Sequence, residues 1–341
     1  MLLFERDIAI DLGTSMTLVY VRGKGIALRE PTVVAVDRQS GRMLSCGEDA
    51  EKMLGRTPAD IAAIHPISAG VISDYDLTSR FLQSLISRVT SFSFFKPRVI
   101  VCVPSSITGV EERAIIDAAI EAGARKVYQL ETAVAVATGA GIDISKPDGH
   151  MVIDIGGGTT EIAVVTLGGV AECEASKAGG AFDGAIVRVV RRKHNLLIGL
   201  RTAEELKMNI GSVYPRKEAS SQTVKGRCLL TGLPRSVTVT SDDMIEALQE
   251  PTERLLDAIH LVLERTPPEL VADLSMNGIV MSGGGSRIWG LDKLITSRTG
   301  IEAVVVDDPI ACAAYGAGKM LRQLASMPEG MINLARRRQL K

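Results

Sequence analysis

The sequence predicts an α/β protein of two duplicated lobes, and three features of the 341-residue chain lead to that prediction. The length suits two lobes, because single hydrophobic cores seldom grow beyond about 250–300 residues. Strand and helix patterns alternate through most of the chain. One motif, a strand, an Asp-x-Gly turn and a second strand, occurs around Asp11 and again around Asp154. That repeat indicates an internal duplication.

Each copy of the motif is typical of a β-hairpin that binds phosphate. The glycine after the aspartate lets backbone amides at the tip turn inward and donate to phosphate oxygens. A single Asp-x-Gly turn is equally consistent with a plain hairpin, but its recurrence favours two tips that hold one polyphosphate. The predicted phosphate-binding residues are Gly13, Thr14, Ser15, Met16, Gly156, Gly157, Gly158 and Thr159.

The two aspartates of the repeated motif predict a metal ion. Asp11 and Asp154 each end an apolar strand, where a carboxylate is costly unless a cation neutralises it. Magnesium gives up its water reluctantly, so we expect Mg²⁺ to be held largely through water molecules.

A third glycine-rich turn follows a later apolar strand and precedes a helix. Its residues, Gly283, Gly284, Gly285 and Ser286, are predicted to line an adenosine or ribose. A glycine-rich turn before a helix is also a common connection between a strand and a helix, and a serine at that position often caps the helix. No G-x-G-x-x-G follows the first strand and no G-x-x-x-x-G-K-[ST] occurs, which disfavours Rossmann and Walker-type sites.

Local patterns place further elements along the chain. After the turn at residues 23–25, the apolar run at 32–36 predicts a third strand. Capping boxes predict helix starts at Thr108 and Thr202, and a polar hairpin is predicted between residues 220 and 240.

Composition excludes several classes of function. The 39 basic and 40 acidic side chains give a net charge of −1, so no nucleic-acid partner is expected. Five scattered cysteines without C-x-x-C spacing indicate neither disulfides nor zinc, as in a reduced cytoplasmic protein. No apolar run approaches the roughly 18 residues of a spanning helix, so we expect no transmembrane segment.

The motifs together resemble those of the MreB/Mbl family of bacterial actins, within the superfamily of actin, sugar kinases and heat-shock chaperones. The resemblance covers about residues 7–320 and rests on the runs DLGT at 11–14, RGKGI at 22–26, GRTP at 55–58, DIGGGTTE at 154–161, RTAE at 201–204, TGLPR at 231–235 and TPPEL at 266–270.

The resemblance implies an actin-like (ribonuclease H-like) fold, with two lobes around a nucleotide cleft and a smaller subdomain inserted in each. The implied divisions are subdomain IA (1–36 and 74–140), IB (37–73), IIA (141–181 and 252–325), IIB (182–251) and a basic C-terminal tail (326–341).

The resemblance also implies a cytoskeletal function. ATP or ADP with Mg²⁺ would drive assembly into double-stranded homopolymers, which lie on the inner face of the cytoplasmic membrane and work with the cell-wall elongation machinery to set cell shape. The helix that carries Glu204, Glu205, Lys207 and Met208 would border adenine and ribose. Without the resemblance, its charged residues would be interpreted as a solvent-exposed helix face.

Glu131 and Thr159 are the implied catalytic residues, which orient and support the attacking water. The family's second glutamate and proline are replaced here by Thr132 and Ala133. In the family's Gly-Asp-Glu segment, the aspartate and glutamate are replaced here by Gly180 and Ala181. These changes remove acidic groups beside the cleft, so we expect slow hydrolysis.

Phe92, Phe94 and Phe95 form an aromatic tip between a predicted helix and strand. In similar proteins an apolar loop at this place enters the membrane, and Lys96 and Arg98 would meet anionic headgroups. Burying two rings contributes about 3–6 kcal/mol and each basic group roughly 1 kcal/mol, a weak anchor that a filament multiplies by avidity. The rings are otherwise explained as part of the core. This predicts a cytoplasmic, peripherally membrane-associated protein.

Two other functions are compatible with the fold. A chaperone-like ATPase needs a substrate domain, and only about 20 residues follow the last predicted helix. A small-molecule kinase needs a catalytic base in an acceptor pocket, for which no additional acidic motif presents itself. The kinase stays the alternative to the filament protein.

Overall fold

The structure is a computed structural model that describes residues 7–90, 95–177, 179–322 and 324. Within these ranges the chain forms 18 strands, numbered here in order: β1 (Ile8–Leu12), β2 (Met16–Val21), β3 (Gly25–Pro31), β4 (Val34–Asp37), β5 (Met43–Cys46), β6 (Ile61–Ile64), β7 (Ile67–Ser68), β8 (Val71–Ile72), β9 (Arg98–Val103), β10 (Lys126–Glu131), β11 (His150–Ile155), β12 (Thr159–Thr166), β13 (Gly169–Lys177), β14 (Leu196–Leu197), β15 (Ser221–Cys228), β16 (Pro234–Thr240), β17 (Ile279–Ser282) and β18 (Ala303–Val305).

The helices of the described residues are numbered in the same way. One turn of 3₁₀ helix covers Gly284–Arg287, and the α-helices are α1 (Glu48–Glu51), α2 (Tyr75–Thr90), α3 (Gly109–Glu121), α4 (Thr132–Gly139), α5 (Gly179–His194), α6 (Leu200–Ile210), α7 (Ser241–Arg265), α8 (Pro268–Asn277), α9 (Leu291–Thr299) and α10 (Cys312–Met320).

Two five-stranded sheets have the same topology. The first has the order β10-β9-β1-β2-β3 and the second the order β18-β17-β11-β12-β13. In each, the strand that ends in the aspartate is antiparallel to the next strand and parallel to a later one. The two sheets are therefore copies of one unit, and the predicted α/β fold of two duplicated lobes is confirmed.

The strands at the centre of each sheet are apolar because helices cover both faces. In β1, Ile8, Ala9 and Ile10 are completely buried, and in β11 the same holds for Met151 and Ile153. The end of each strand reaches the cavity between the lobes, through Asp11 and Leu12 of β1 and through Asp154 of β11. The hydrophobic pattern of the strand thus places one carboxylate from each lobe at the interface.

Two helices cross between the lobes. Helix α4 follows the last strand of the first sheet but packs on β11 and β12 of the second. Helix α10 follows the last strand of the second sheet but packs on β1 and β2 of the first. A shared core containing Ala9, Val152 and Ala317 continues through this crossing, so the two lobes are joined by packed apolar surface.

Smaller sheets project from each lobe. Strands β5-β4-β6 form one, the β7–β8 hairpin lies beside it, and β14-β15-β16 form another on the second lobe. These elements fall in or next to the predicted insertions 37–73 and 182–251. The described helices include none that is long and apolar enough to cross a membrane.

One prediction about local structure is incomplete and another is wrong. The strand predicted at 32–36 is present as β4, which pairs with β5 and β6, but it is the fourth strand of the chain because β3 precedes it. Helix α6 begins at Leu200 after Gly199, with no side-chain cap, so Thr202 lies inside the helix. The capping box at Thr108 is confirmed, since its side chain accepts from the Glu111 amide and Glu111 bonds back.

Candidate functional site

A cavity of about 390 Å³ lies between the lobes and is open to solvent. Both predicted hairpin tips line it, as does the third glycine-rich turn. Its lining residues from these segments are Asp11, Gly13, Thr14, Ser15, Met16, Asp154, Gly156, Gly157, Gly158, Thr159, Gly283, Gly284 and Gly285. Three motifs that are far apart in the sequence therefore meet in one cleft.

The two tips face each other at close range, which requires glycine in the second tip. A Cβ atom added to Gly157 would overlap the Ser15 side chain, and one added to Gly158 would overlap Thr14. A Cβ on Gly13 would lie 2.6 Å from the Met16 carbonyl oxygen. Larger residues at these glycines would force the tips apart or distort them.

The tips present backbone donors that the protein does not use. In the described part of the chain, the amides of Thr14, Ser15, Gly157 and Gly158 have no hydrogen-bond acceptor. Successive unpaired amides in a turn form a concave site for anions. Two such sets on opposite sides of one cleft match a polyphosphate, which has oxygens on both sides.

Three carboxylates line the floor of the cavity: Asp11, Asp154 and Glu161. Burial raises the pKa of Asp11 to about 7, with a further contribution from the charge of Asp154. Burial likewise raises the pKa of Asp154 to about 6 and that of Glu161 to about 7. Ionised, these groups are destabilised where they stand, and a cation would relieve that cost.

Glu161 marks a difference between the two copies of the motif. In the second hairpin it pairs with Asp154, whereas the equivalent partner of Asp11 in the first hairpin is Leu18. Glu161 also reaches the other lobe, where it accepts hydrogen bonds from both the amide and the hydroxyl of Ser105. The extra carboxylate therefore belongs to the second lobe and ties it to the first.

The donor set fits a magnesium ion held partly by a ligand and water. Among the described residues, no group of three or more histidine, cysteine, aspartate or glutamate side chains could hold a metal by itself. Magnesium is ordinarily bound by one or two carboxylates together with phosphate oxygens and water. Asp11 and Asp154, next to the two amide sets, could supply those carboxylates.

The other end of the cavity suits a nucleoside. Glu204, Lys207 and Met208 of α6 line it together with Ile288 and Ile310, which add apolar surface. The Lys207 Nζ atom lies 2.8 Å from an oxygen of Asp183, so this lysine is held in place by an ion pair.

Three predicted residues do not line the cavity. Glu205 points instead to Arg201, one turn earlier in α6. The hydroxyl of Ser286 is buried and donates to the Gly283 carbonyl at 2.7 Å, so the serine shapes the turn. Glu131 ends β10 directly before Thr132, which does line the cavity, and the charge of Glu131 contributes to the raised pKa of Glu161.

The predicted membrane-binding residues are only partly covered by the structure. Phe92 and Phe94 lie outside the described residues, as does the tail 326–341. Phe95 is described, and 50% of its surface is exposed.

The sequence prediction missed several cavity residues, including Gly70, Pro104, Glu161 and Arg287, whereas Thr132 was expected beside the cleft. Glu161 had a usable signal, because it lies two residues after Thr159 and therefore on the same face of β12. Gly70 had none. It belongs to the turn between β7 and β8, and its amide donates to the Thr14 hydroxyl at 3.0 Å only through tertiary folding.

The duplicated sheets, the crossing helices and the cleft with two facing tips define a protein of the actin-like fold. The fold of a MamK double helical filament subunit agrees, with a TM-score of 0.81 at 22% identity over 94% of this chain and 99% of that one. The family model for MreB/Mbl protein matches residues 5–329, and the chain belongs to that family.

Relatives within the family are similar over nearly their whole length. The cell shape-determining protein MreB of Escherichia coli strain K12 is 48% identical over 329 residues, covering 94% of this chain and 95% of that protein. The cell shape-determining protein Mbl of Bacillus cereus is 44% identical, with 96% and 99% covered. The structure of MreB5 of Spiroplasma citri bound to ADP superposes with a TM-score of 0.91 at 33% identity, covering 95% of this chain and 99% of that one.

Proposed function

We propose that this chain is a bacterial actin-like cytoskeletal protein that binds ATP with Mg²⁺ and assembles into membrane-associated, double-stranded filaments. These filaments help to determine cell shape by organising cell-wall synthesis. One observation carries the proposal: two glycine-containing tips face each other with unpaired amides above buried carboxylates. The names of the MreB and Mbl relatives supply the link to cell shape.

The nucleotide extends along the cavity. Its phosphates lie between the amides of Thr14 and Ser15 on one side and those of Gly157 and Gly158 on the other. The adenosine lies between α6 and the turn that begins at Gly283. Structures of MreB5 with ADP and with AMPPNP, at 33% identity, support this class of ligand.

Asp11 and Asp154 would hold Mg²⁺ through water and through the phosphates. When bound, the ion neutralises charge on the carboxylates and on the transferred phosphate. The residues beside it fit slow hydrolysis. Thr159 lines the cavity and can hold a water with its hydroxyl. Glu131 does not line the cavity itself but ends β10 directly before Thr132, which does, and would orient that water from there. Thr132 and Ala133 follow Glu131 and bring no second acidic group to the water.

An exposed apolar surface is available for contact between copies of the chain. Leu229, Leu230 and Leu233 at the turn of the β15–β16 hairpin are 40%, 76% and 65% exposed. Exposed leucines in a cluster are a common sign of a protein interface. We assign this hairpin turn to the contact between successive copies of the chain in a filament.

Membrane attachment rests on the segment that contains Phe95. Its ring is half exposed and is followed by the exposed Lys96, a pairing that suits an anionic lipid surface. Each loop binds weakly, and a filament that presents many of them binds firmly. Attachment therefore depends on assembly.

Sedimentation tests the proposal. The purified chain with Mg-ATP is expected to pellet as filaments, and to pellet with vesicles that contain anionic lipid, whereas it stays in the supernatant with EDTA. If it remains monomeric with Mg-ATP and instead transfers phosphate to a small acceptor, the kinase alternative replaces the filament function.

A further inference from the structure

Three successive carbonyl groups of the first tip are held from behind by two residues of other segments. The Thr32 hydroxyl donates to the Gly13 carbonyl at 2.7 Å, and the Thr32 amide donates to the Ser15 carbonyl at 2.9 Å. Between them, Nδ1 of His65 lies 3.2 Å from the Thr14 carbonyl oxygen. The carbonyls of Gly13, Thr14 and Ser15 thus each have a donor from a residue that does not line the cavity.

The direction of each bond follows from the chemistry of the partners. Nδ1 of His65 also lies 2.9 Å from the Thr32 carbonyl oxygen, and two carbonyls can only accept, so Nδ1 carries the proton. The Thr32 hydroxyl gives its proton to Gly13 and therefore accepts from the Thr17 hydroxyl at 2.8 Å. Thr17 and Thr32 are completely buried, so water does not compete for the hydrogen bond between their hydroxyls.

The held carbonyls determine where the amides point. In a planar trans peptide, the N–H of the following residue points opposite to the carbonyl. The donors on Gly13, Thr14 and Ser15 therefore direct the amides of Thr14, Ser15 and Met16 the other way, and these three residues line the cavity. An amide held in place before binding loses less freedom when an anion arrives.

The second tip is held differently. There the carbonyls of Gly156 and Gly157 accept from the amides of Gly179 and Gly180, at 3.2 and 2.8 Å, at the start of α5. A Cβ on Gly179 would lie 3.2 Å from the Gly156 carbonyl oxygen, so glycine allows this close approach. Among the described residues, only backbone amides donate to the carbonyls of the second tip, whereas the first tip also depends on two side chains that can be replaced.

We propose that Thr32 and His65 are positioning residues that fix the carbonyls of the first tip and so aim its amides at the phosphates of the nucleotide. Neither side chain lines the cavity, so both act through the tip. The proposal rests on the nucleotide binding proposed above. It adds that affinity for the phosphate part depends on two side chains outside the binding surface.

The test compares ligands with and without phosphates on the full chain. Thr32→Val keeps the shape and the backbone amide but loses the hydroxyl, and His65→Leu loses the ring donor. Thr32→Ser and His65→Asn restore a donor at nearly the same place. Dissociation constants for Mg-ATP, Mg-ADP and adenosine are measured by calorimetry, with thermal unfolding as a check on folding.

We expect Thr32→Val and His65→Leu each to weaken ATP and ADP binding about tenfold, the effect of about one hydrogen bond, with adenosine binding unchanged. The Ser and Asn variants should stay within about twofold of the unmodified chain. Unchanged ATP affinity in His65→Leu, or a parallel loss of adenosine affinity, overturns the proposal. His65 is exposed, so its variants decide the question even if Thr32→Val fails to fold. If the unmodified chain binds no nucleotide, the proposed function itself fails.

Discussion

Gly139 of α4 and Gly316 of α10 lie on opposite sides of the helix crossing that joins the lobes, and each faces a carbonyl of the other helix. A Cβ on Gly139 would overlap the Cys312 carbonyl, and one on Gly316 would overlap the Ala135 carbonyl. Both contacts follow the same four-residue spacing, from 135 to 139 and from 312 to 316. The internal duplication therefore extends to the crossing itself.

Gly316→Ala is expected to destabilise the protein by about 1–3 kcal/mol, because the new methyl group has no room between the two helix backbones. Chemical denaturation measures the change. Gly184→Ala is the matched control. Its Cβ would meet only the end of Arg188 at 3.7 Å, so alanine in helix α5 should leave stability unchanged or raise it slightly. Equal effects in the two variants would contradict the close crossing.

Asp11→Asn and Asp154→Asn should remove most of the dependence of ATP affinity on Mg²⁺. Losing a bond to a charged group weakens binding about tenfold or more. ATP affinity is measured with saturating Mg²⁺ and with EDTA. Asp257→Asn, on the exposed side of α7, is the control and should bind like the unmodified chain. If both cleft variants keep the full Mg²⁺ effect, these aspartates do not hold the ion.

Glu161→Gln should stabilise the nucleotide-free protein in alkaline but not in acidic solution. Burial raises the pKa of Glu161 from 4.5 to about 7 in the folded protein, so the folded state binds more protons than the unfolded state between these values. Stability therefore falls as pH rises from about 4.5 to 7, by roughly 3 kcal/mol for this group. Glutamine avoids that loss and still accepts from Ser105.

Thermal unfolding of this variant and the unmodified chain at pH 5 and pH 8 measures the effect. We expect similar melting temperatures at pH 5 and a higher one for Glu161→Gln at pH 8. A gain of equal size at both pH values would mean that the carboxylate charge is not the cause.

Leu230→Asp should prevent assembly while leaving nucleotide affinity intact, because a charge in an apolar contact between subunits is not compensated. Sedimentation with Mg-ATP is the measurement. Val110→Asp is the control, since Val110 is 82% exposed but lies on α3 in the first lobe, whereas the hairpin belongs to the second lobe. Normal filaments from the Leu230 variant would exclude the turn from the interface.

Phe95→Ser should reduce the amount of filament that pellets with anionic vesicles, without changing filament formation in the absence of lipid. Removing an aromatic ring from a lipid contact costs about 1.5–3 kcal/mol per loop, and the effect multiplies along a filament. Leu44→Ser, at a residue 47% exposed on β5, controls for loss of exposed apolar surface. Equal vesicle binding by both variants would remove this loop from the membrane contact.

Much of the fold was predictable because duplication leaves a local signature. Each hairpin consists of a strand, a turn and a second strand that are adjacent in the sequence, so a short stretch of residues is enough to predict it. The strand β3 was missed, because it runs directly into Pro31 and is followed at once by β4, which joins a different sheet. The residues of such a run indicate a strand but do not indicate which sheet the strand joins.

The site was predictable where glycine and aspartate stand in one short motif. Gly70, Thr32 and His65 could not be placed in this way, since their partners are 15 to 56 residues away in the chain. Glu161 was missed, although its two-residue spacing from Thr159 places both residues on the same face of β12. The false helix start at Thr202 has a simpler cause. A Thr-x-x-Glu pattern also occurs inside helices, and α6 begins two residues earlier.

The most direct test of the central claim is a calorimetric titration of the purified chain with ATP, in the presence and absence of Mg²⁺. The facing tips and the buried carboxylates predict one ATP per chain, tighter binding with Mg²⁺, and much weaker binding of adenosine. Absence of ATP binding under both conditions, or equal affinity for ATP and adenosine, would contradict the account of the cleft as a polyphosphate site.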